Sequence, residues 1–378
     1  MRVTKIGLRK LWFQVHKWIG LILAILIIPV SLTGSALVWH DPLERIVSPA
    51  RFATSGTDTL DPIVYAEAAA KALKPGERIA TLRMPEEPGD PVIVSAAQAG
   101  GGARPGPPVR TNVYLDPPTA RVLEVSGSRS GLVMAFHMLH GSLMLPGVGR
   151  QIVGWIGVAM AVSCFTGIWL WWPVVGRWTR GLRWKRQPNL DGNLHHLLGF
   201  WIAIPLFVLS FTGAWISFPQ VFSVFDGAAP RGPGPDRAAM MRAKPLAAPA
   251  TSLGDAVARA SELAPGKVAS ITWPTDRKAE WSIGLAAKGP PATVTVTDAD
   301  GAAKLAPRPD RPQRQTLART IRQIHDGNGL PFVWQLIIFV GGIIPAVLAV
   351  TGIIMWWRAR GWRAKLAQRQ KQKAVAAE

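Results

Sequence analysis

The chain has 378 residues, 48% of them hydrophobic and 17% charged, with a formal net charge of +20 and a single cysteine, Cys164. One cysteine excludes an intrachain disulfide, a thiolate-held iron–sulfur cluster and a C-x-x-C-H attachment site. The positive charge flanks apolar runs and no recognised nucleic-acid module accompanies it, so it reads as a topology signal and an affinity for anionic membrane lipid, with no nucleic-acid partner.

A basic start (Arg2, Lys5, Arg9, Lys10) precedes the first apolar run, residues 11–39. That run is long enough to cross a bilayer, too long for a signal-peptide core and without a clear cleavage site, so it is expected to be an uncleaved transmembrane helix. Residues 41–130 read as an external α/β unit. Its helix is expected at Ile63 to Leu73 and stops at Lys74-Pro75-Gly76. Strands follow at Ile79 to Met84, Pro91 to Ala96, Thr111 to Leu115 and, after the turn Asp116-Pro117-Pro118-Thr119, Val122 to Val125. The second span is residues 151–174, followed by a basic loop over 175–193 with Arg177, Arg180, Arg183, Lys185 and Arg186. The third span is 194–218. A second external unit covers 219–320, with a helix at Leu253 to Leu263 and strands near Val268 to Trp273, Trp281 to Leu285 and Ala292 to Thr297. The fourth span is 330–357, and 358–378 is a basic tail. Residues 98–109 and 226–250 are Gly-, Pro- and Ala-rich connections. The basic segments put both termini and the middle loop in the cytoplasm and the two α/β units outside. The 17 Trp residues lie mostly at span ends, as interfacial belts do.

The chain also repeats itself. His16 to Gly20 followed by Ser31-Leu32-Thr33-Gly34 recurs 179 residues later as His195 to Gly199 and Ser210-Phe211-Thr212-Gly213. A second unit, His140 to Pro146, Thr166-Gly167 and Trp171-Trp172, returns 185 residues on as His325 to Pro331, Thr351-Gly352 and Trp356-Trp357. Two tandem copies of one module are expected.

The repeat yields two pairs of histidines at matched depths. His16 and His195 lie at the cytoplasmic ends of spans one and three, taken as neighbouring helices. His140 and His325 precede spans two and four on the external side, on short interfacial helices. A lone histidine at a membrane interface is ordinary, but two at one depth can coordinate one iron from opposite faces of a planar macrocycle. His196, beside His195, and His137, one turn before His140, stay open as alternative ligands. His137 is also the candidate to face an electron acceptor, and His40 reads as an interfacial residue. Each Thr-Gly pair serves either close helix packing or clearance for a macrocycle held by the other two helices.

The histidines with Gly20 and Ser31-Leu32-Thr33-Gly34, the segment Phe136 to His140 and Tyr114-Leu115-Asp116-Pro117 resemble the PepSY-associated transmembrane helix family, which includes iron-regulated membrane proteins and siderophore reductases. The resemblance covers nearly the whole chain. It implies an inner-membrane protein with PepSY-like external domains and, in the ferric-siderophore reductase branch, haem held by helix histidines. The expected fold is therefore α-helical and membrane-spanning, with four transmembrane helices from a tandem duplication and two external α/β PepSY-like domains. The expected cofactor is haem b, two per chain and noncovalent, with iron ligated by His16, His195, His140 and His325. Two such groups also suit a hydrocarbon core of about 30 Å, which one cannot bridge.

The leading expectation is a membrane-bound ferric-siderophore reductase passing electrons from a cytoplasmic donor to a periplasmic ferric siderophore or other ferric chelate. No strand-linked G-x-G-x-x-G is present, so the donor is a separate partner. Arg129, Arg314, Arg319 and Arg322 are candidates to attract acidic chelates into a cleft formed as the external units close. A transporter is disfavoured, because the spans lack ionisable groups at mid-membrane. The alternative is a membrane-anchored PepSY-domain regulatory or binding module without redox activity.

Overall fold

The computed structural model describes residues 5–97, 109–172, 177–184, 187–226, 242–287, 291–306 and 316–375. In chain order the helices are α1 (Lys5–Leu37), α2 (His40–Val47), α3 (Pro62–Ala72), α4 (Leu132–Ser142), α5 (Gly149–Trp171), α6 (Leu190–Ser217), α7 (Pro219–Phe222), α8 (Leu253–Leu263), α9 (Leu317–Asp326) and α10 (Phe332–Val375). The strands are β1 (Arg78–Arg83), β2 (Val92–Ala97), β3 (Arg110–Leu115), β4 (Val122–Gly127), β5 (Lys267–Thr272), β6 (Glu280–Ala286), β7 (Ala292–Thr297) and β8 (Ala303–Leu305). Two compact units result, a helical one from residues 1–40, 136–230 and 315–378, and a sheet unit from residues 41–135 and 231–314.

In the helical unit, α1, α5, α6 and the first part of α10 are long and apolar enough to cross a membrane. α1 packs against α5 and α10, and so does α6. α1 and α6 therefore stand diagonally across a four-helix bundle rather than side by side, which corrects their expected adjacency. Small residues at the repeat offset set the contacting pairs. A methyl at Gly157 would lie 2.8 Å from the Ser210 carbonyl oxygen, and one at Gly342 would lie 2.7 Å from that of Ser31. Close backbone approach between spans needs such glycines.

In the sheet unit, all eight strands are antiparallel, in the order β4-β3-β2-β1-β5-β6-β7-β8. α3 starts at Pro62, with Asp61 accepting from the Ile63 N–H, and α8 starts with Ser252 accepting from the Asp255 N–H. The alternating strands turn Val94, Val113, Ile283 and Val296 inward against Tyr65 and Ala69 of α3 and Ala256 and Ala260 of α8. β8, too short to stand out in the sequence, closes the far edge. The two expected α/β units are not separate lobes: β1 pairs with β5 through Thr81↔Thr272, Leu82↔Ile271 and Arg83↔Ser270, and one core includes both halves. Each half alone would leave that strand as an open edge, and joining them satisfies it. A cleft made by one half closing on the other is thus replaced by a continuous sheet.

Asp116 and Asp298 perform one job in the two halves. Asp116 is fully buried and accepts from the Ser55 N–H at 2.7 Å, the Ser55 hydroxyl at 2.6 Å and the Thr119 hydroxyl. Asp298 accepts from the N–H groups of Ala250 and Thr251. Both tie the segment before a helix to a strand end. Burial alone would raise the Asp116 carboxyl, but the hydrogen bonds from Ser55 and Thr119 outweigh it and hold it below the usual carboxylate range.

Candidate functional site

The histidines of the repeat meet in two pairs. The His16 and His195 ring centroids are 6.3 Å apart and the ring planes cross at 87°; those of His140 and His325 are 6.0 Å apart, inclined by 34°. α1 and α6 supply the first pair from opposite sides of the bundle. α4 and α9, the short helices ahead of α5 and α10, supply the second.

All four rings are held by the same atom. His16 Nδ1 lies 3.1 Å from both the Ser163 carbonyl and the Thr166 hydroxyl, and His195 Nδ1 lies 3.0 Å from the Thr351 hydroxyl. His325 Nδ1 is 2.9 Å from the Thr212 hydroxyl, and His140 Nδ1 is 2.8 Å from the Val30 carbonyl. Thr166, Thr212 and Thr351 donate their own hydroxyl protons to the carbonyls of Val162, Val208 and Val347 one turn back. Each therefore faces its histidine as an acceptor, as does the Val30 carbonyl. A proton on Nδ1 leaves Nε2 with a free lone pair, the tautomer that a second-shell acceptor imposes on a metal-ligating histidine.

The glycine of every Thr-Gly pair makes room for the ring itself. A methyl would lie 2.5 Å from His140 Cε1 at Gly34, 3.1 Å from His325 Cε1 at Gly213, 3.2 Å from His16 Cε1 at Gly167 and 3.5 Å from His195 Cε1 at Gly352. This corrects both readings of those pairs. Helix contact rests on Gly157 and Gly342, and the Thr-Gly glycines admit imidazoles rather than a macrocycle. The sequence had paired the depths as found. Each cradle lies within one copy of the repeat, whereas each histidine pair joins the two copies.

The spacing permits a test of fit for a bis-imidazole centre. A metal–imidazole bond of about 2.0–2.1 Å and a nitrogen about 1.15 Å from its ring centroid put two trans rings about 6.4 Å apart. Both observed separations agree. Around His140 and His325 there is also a cavity of about 480 Å³, walled by apolar residues such as Ile27, Ile156 and Leu206, within the range of cofactor pockets. The four histidines and this cavity fit haem held without covalent attachment.

The neighbouring histidines point elsewhere. His196 Nε2 is 3.1 Å from Gln187 Nε2, so His195 rather than His196 faces His16. His137 faces His40, with ring centroids 6.3 Å apart, while His140 faces His325. Both His40 and His137 line the cavity, which gives His40 a place that its position at a span end did not reveal. Arg150, Arg322 and Asp326 line it too. Of the basic residues expected to draw in a chelate, Arg322 alone is on this wall. Arg319 lies off it, Arg129 belongs to the sheet unit, and Arg314 lies outside the described residues. Between the two pairs, Met160, Cys164, Ile202, Leu206, Ile344 and Leu348 form an apolar cluster.

No match is found among curated proteins. The family described as PepSY-associated TM region matches residues 13–359, a stretch that includes all four cradled histidines. The chain belongs to the PepSY-associated TM region family and is a multi-pass membrane protein with four candidate spans.

Proposed function

We propose that the chain is a di-haem electron-transfer protein of a bacterial inner membrane, drawing electrons from a cytoplasmic donor and reducing a periplasmic ferric siderophore or similar ferric chelate. The observation that carries this reading is the pair of facing histidines at each of two levels, all four with Nδ1 held by an acceptor. His16 with His195, and His140 with His325, are the haem ligands. Haem bound there supplies a one-electron iron couple with both axial positions taken, which suits electron transfer over oxygen activation.

The chain's own residues do the rest. Thr166, Thr351, Thr212 and the Val30 carbonyl keep the Nδ1 protons in place and so fix ring orientation. The cluster around Cys164, Ile202 and Leu206 keeps water out between the pairs. Arg177, Arg183, Arg358 and Arg360 favour the cytoplasmic leaflet, which assigns His16 and His195 to the donor side. His137 and His40, on the cavity wall beside the other pair, are the groups nearest an approaching acceptor on the periplasmic side. The chelate takes up one electron, and ferrous iron is held less tightly than ferric.

The test is to mix dithionite-reduced protein, freed of excess reductant, with a ferric trishydroxamate chelate and a ferrous-iron trap. Reoxidation of the protein at the rate at which trapped iron(II) appears supports the proposal. A reduced spectrum that persists, with no trapped iron(II), contradicts it.

A further inference from the structure

The cavity at His140 and His325 carries a charge imbalance. Its wall includes two guanidinium groups, Arg150 from the first turn of α5 and Arg322 from α9, placed one turn before His325. The two are close enough to repel each other. Arg150 donates to the Ile216 carbonyl, which neutralises no charge. Arg322 has Asp326 at 3.8 Å, a long and half-exposed ion pair. Among the cavity-lining residues Asp326 is the one carboxylate, so it serves two guanidinium groups. An arginine that merely reaches for lipid phosphate directs its head away from the bundle, whereas these two line the space beside the histidine pair. Two converging guanidinium groups on an otherwise apolar wall match the planar, bidentate demand of a carboxylate.

We propose that Arg150 and Arg322 together form a carboxylate-binding site at the His140/His325 cavity. The proposal rests on the haem reading of that cavity. The carboxylate has two possible sources, a propionate of the bound haem or an acidic ferric chelate, and the chemistry recognised is the same.

The experiment uses full-length protein made in haem-deficient cells and loaded with either haem or haem dimethyl ester, whose propionates carry no charge. Loss of the pigment to apomyoglobin is timed for wild type, for Arg150→Gln/Arg322→Gln, and for Arg150→Lys/Arg322→Lys, which keeps the charge. The low-spin signal of the His16/His195 pair reports that each variant is folded. Binding of ferric citrate and of a carboxylate-free trishydroxamate chelate is measured in parallel. If the site holds a propionate, wild type retains haem about tenfold to a hundredfold longer than its ester, the Gln variant loses that preference, and the Lys variant recovers part of it. If the site serves an acidic chelate, haem and ester are retained alike, while the Gln variant loses affinity for ferric citrate and not for the hydroxamate. Equal retention together with unchanged citrate binding overturns the proposal. Failure of any pigment to bind at the second pair refutes the haem reading instead, and the citrate measurement then decides the carboxylate site by itself.

Discussion

His16 and His195 ride on helices long enough to span a membrane, whereas His140 and His325 sit on short helices just ahead of α5 and α10. The first pair hangs on Thr166 and Thr351, near the far ends of α5 and α10; the second hangs on the Val30 carbonyl and Thr212, in α1 and α6. The module thus provides two histidines and two cradles, but neither copy completes a pair by itself. The duplication supplies the missing partner across the bundle. The pairs also differ in tightness: the Gly34 cradle leaves no space beyond the His140 ring, while Gly352 leaves ordinary contact distance at His195. What one module fixes is ring orientation, and what the local helix context sets is how much slack each ring has.

The largest effect should come from removing a ligand. His16→Ala should leave one haem per chain, held by His140 and His325, and His325→Ala should leave the other; haemochrome quantitation of both variants checks this. Loss of both groups from either variant would mean that the pairs are not independent sites. A smaller contrast tests the cradles. Gly34→Ala should displace His140 and convert one of the two low-spin signals to high spin, since its methyl would fall 2.5 Å from the ring, whereas Gly352→Ala, at 3.5 Å, should leave both signals intact. Electron paramagnetic resonance reads the difference.

Thr212→Val removes the hydroxyl that accepts from His325 and should weaken retention of that haem by about tenfold. Thr33→Val should not alter retention, because His140 leans on the Val30 carbonyl and Thr33 donates to Pro29. Equal effects of the two substitutions would erase the distinction drawn between the cradles. The smallest effect on pigment, none, is expected for Asp116→Ala, which should cost the sheet unit about 1–3 kcal/mol in unfolding experiments. Because the folded Asp116 carboxyl titrates below its unfolded value, its contribution is present above the ordinary carboxylate range and is lost as pH falls through the lowered value. Wild type should therefore lose more stability on acidification than the alanine variant.

Much of this architecture was legible because membrane and repeat signals are strong in a single chain. Apolar runs gave the four spans to within a few residues, and fixed offsets of 179 and 185 residues paired the histidines before any contact was known. Strand alternation located β1 to β7, and the Pro-Gly stops bounded α3 and α8. Three features were not legible, each because it depends on which helix or strand meets which. The diagonal placement of α1 and α6 follows from Gly157 and Gly342, whose shared offset was a signal that went unread. The joining of both α/β segments into one sheet depends on the β1–β5 edge, which no local pattern announces. The role of the Thr-Gly pairs required knowing that a ring, not a helix, lies against the glycine. Likewise, His40 and Arg150 looked like span-end residues and gain their place only from the cavity that both line.

The central claim is tested most directly by a visible absorption spectrum of detergent-purified protein, before and after dithionite, with pyridine haemochrome quantitation per chain. The account predicts two b-type haems per chain, each with a six-coordinate low-spin spectrum. A colourless protein from haem-replete cells would contradict it and favour a membrane-anchored binding or regulatory module.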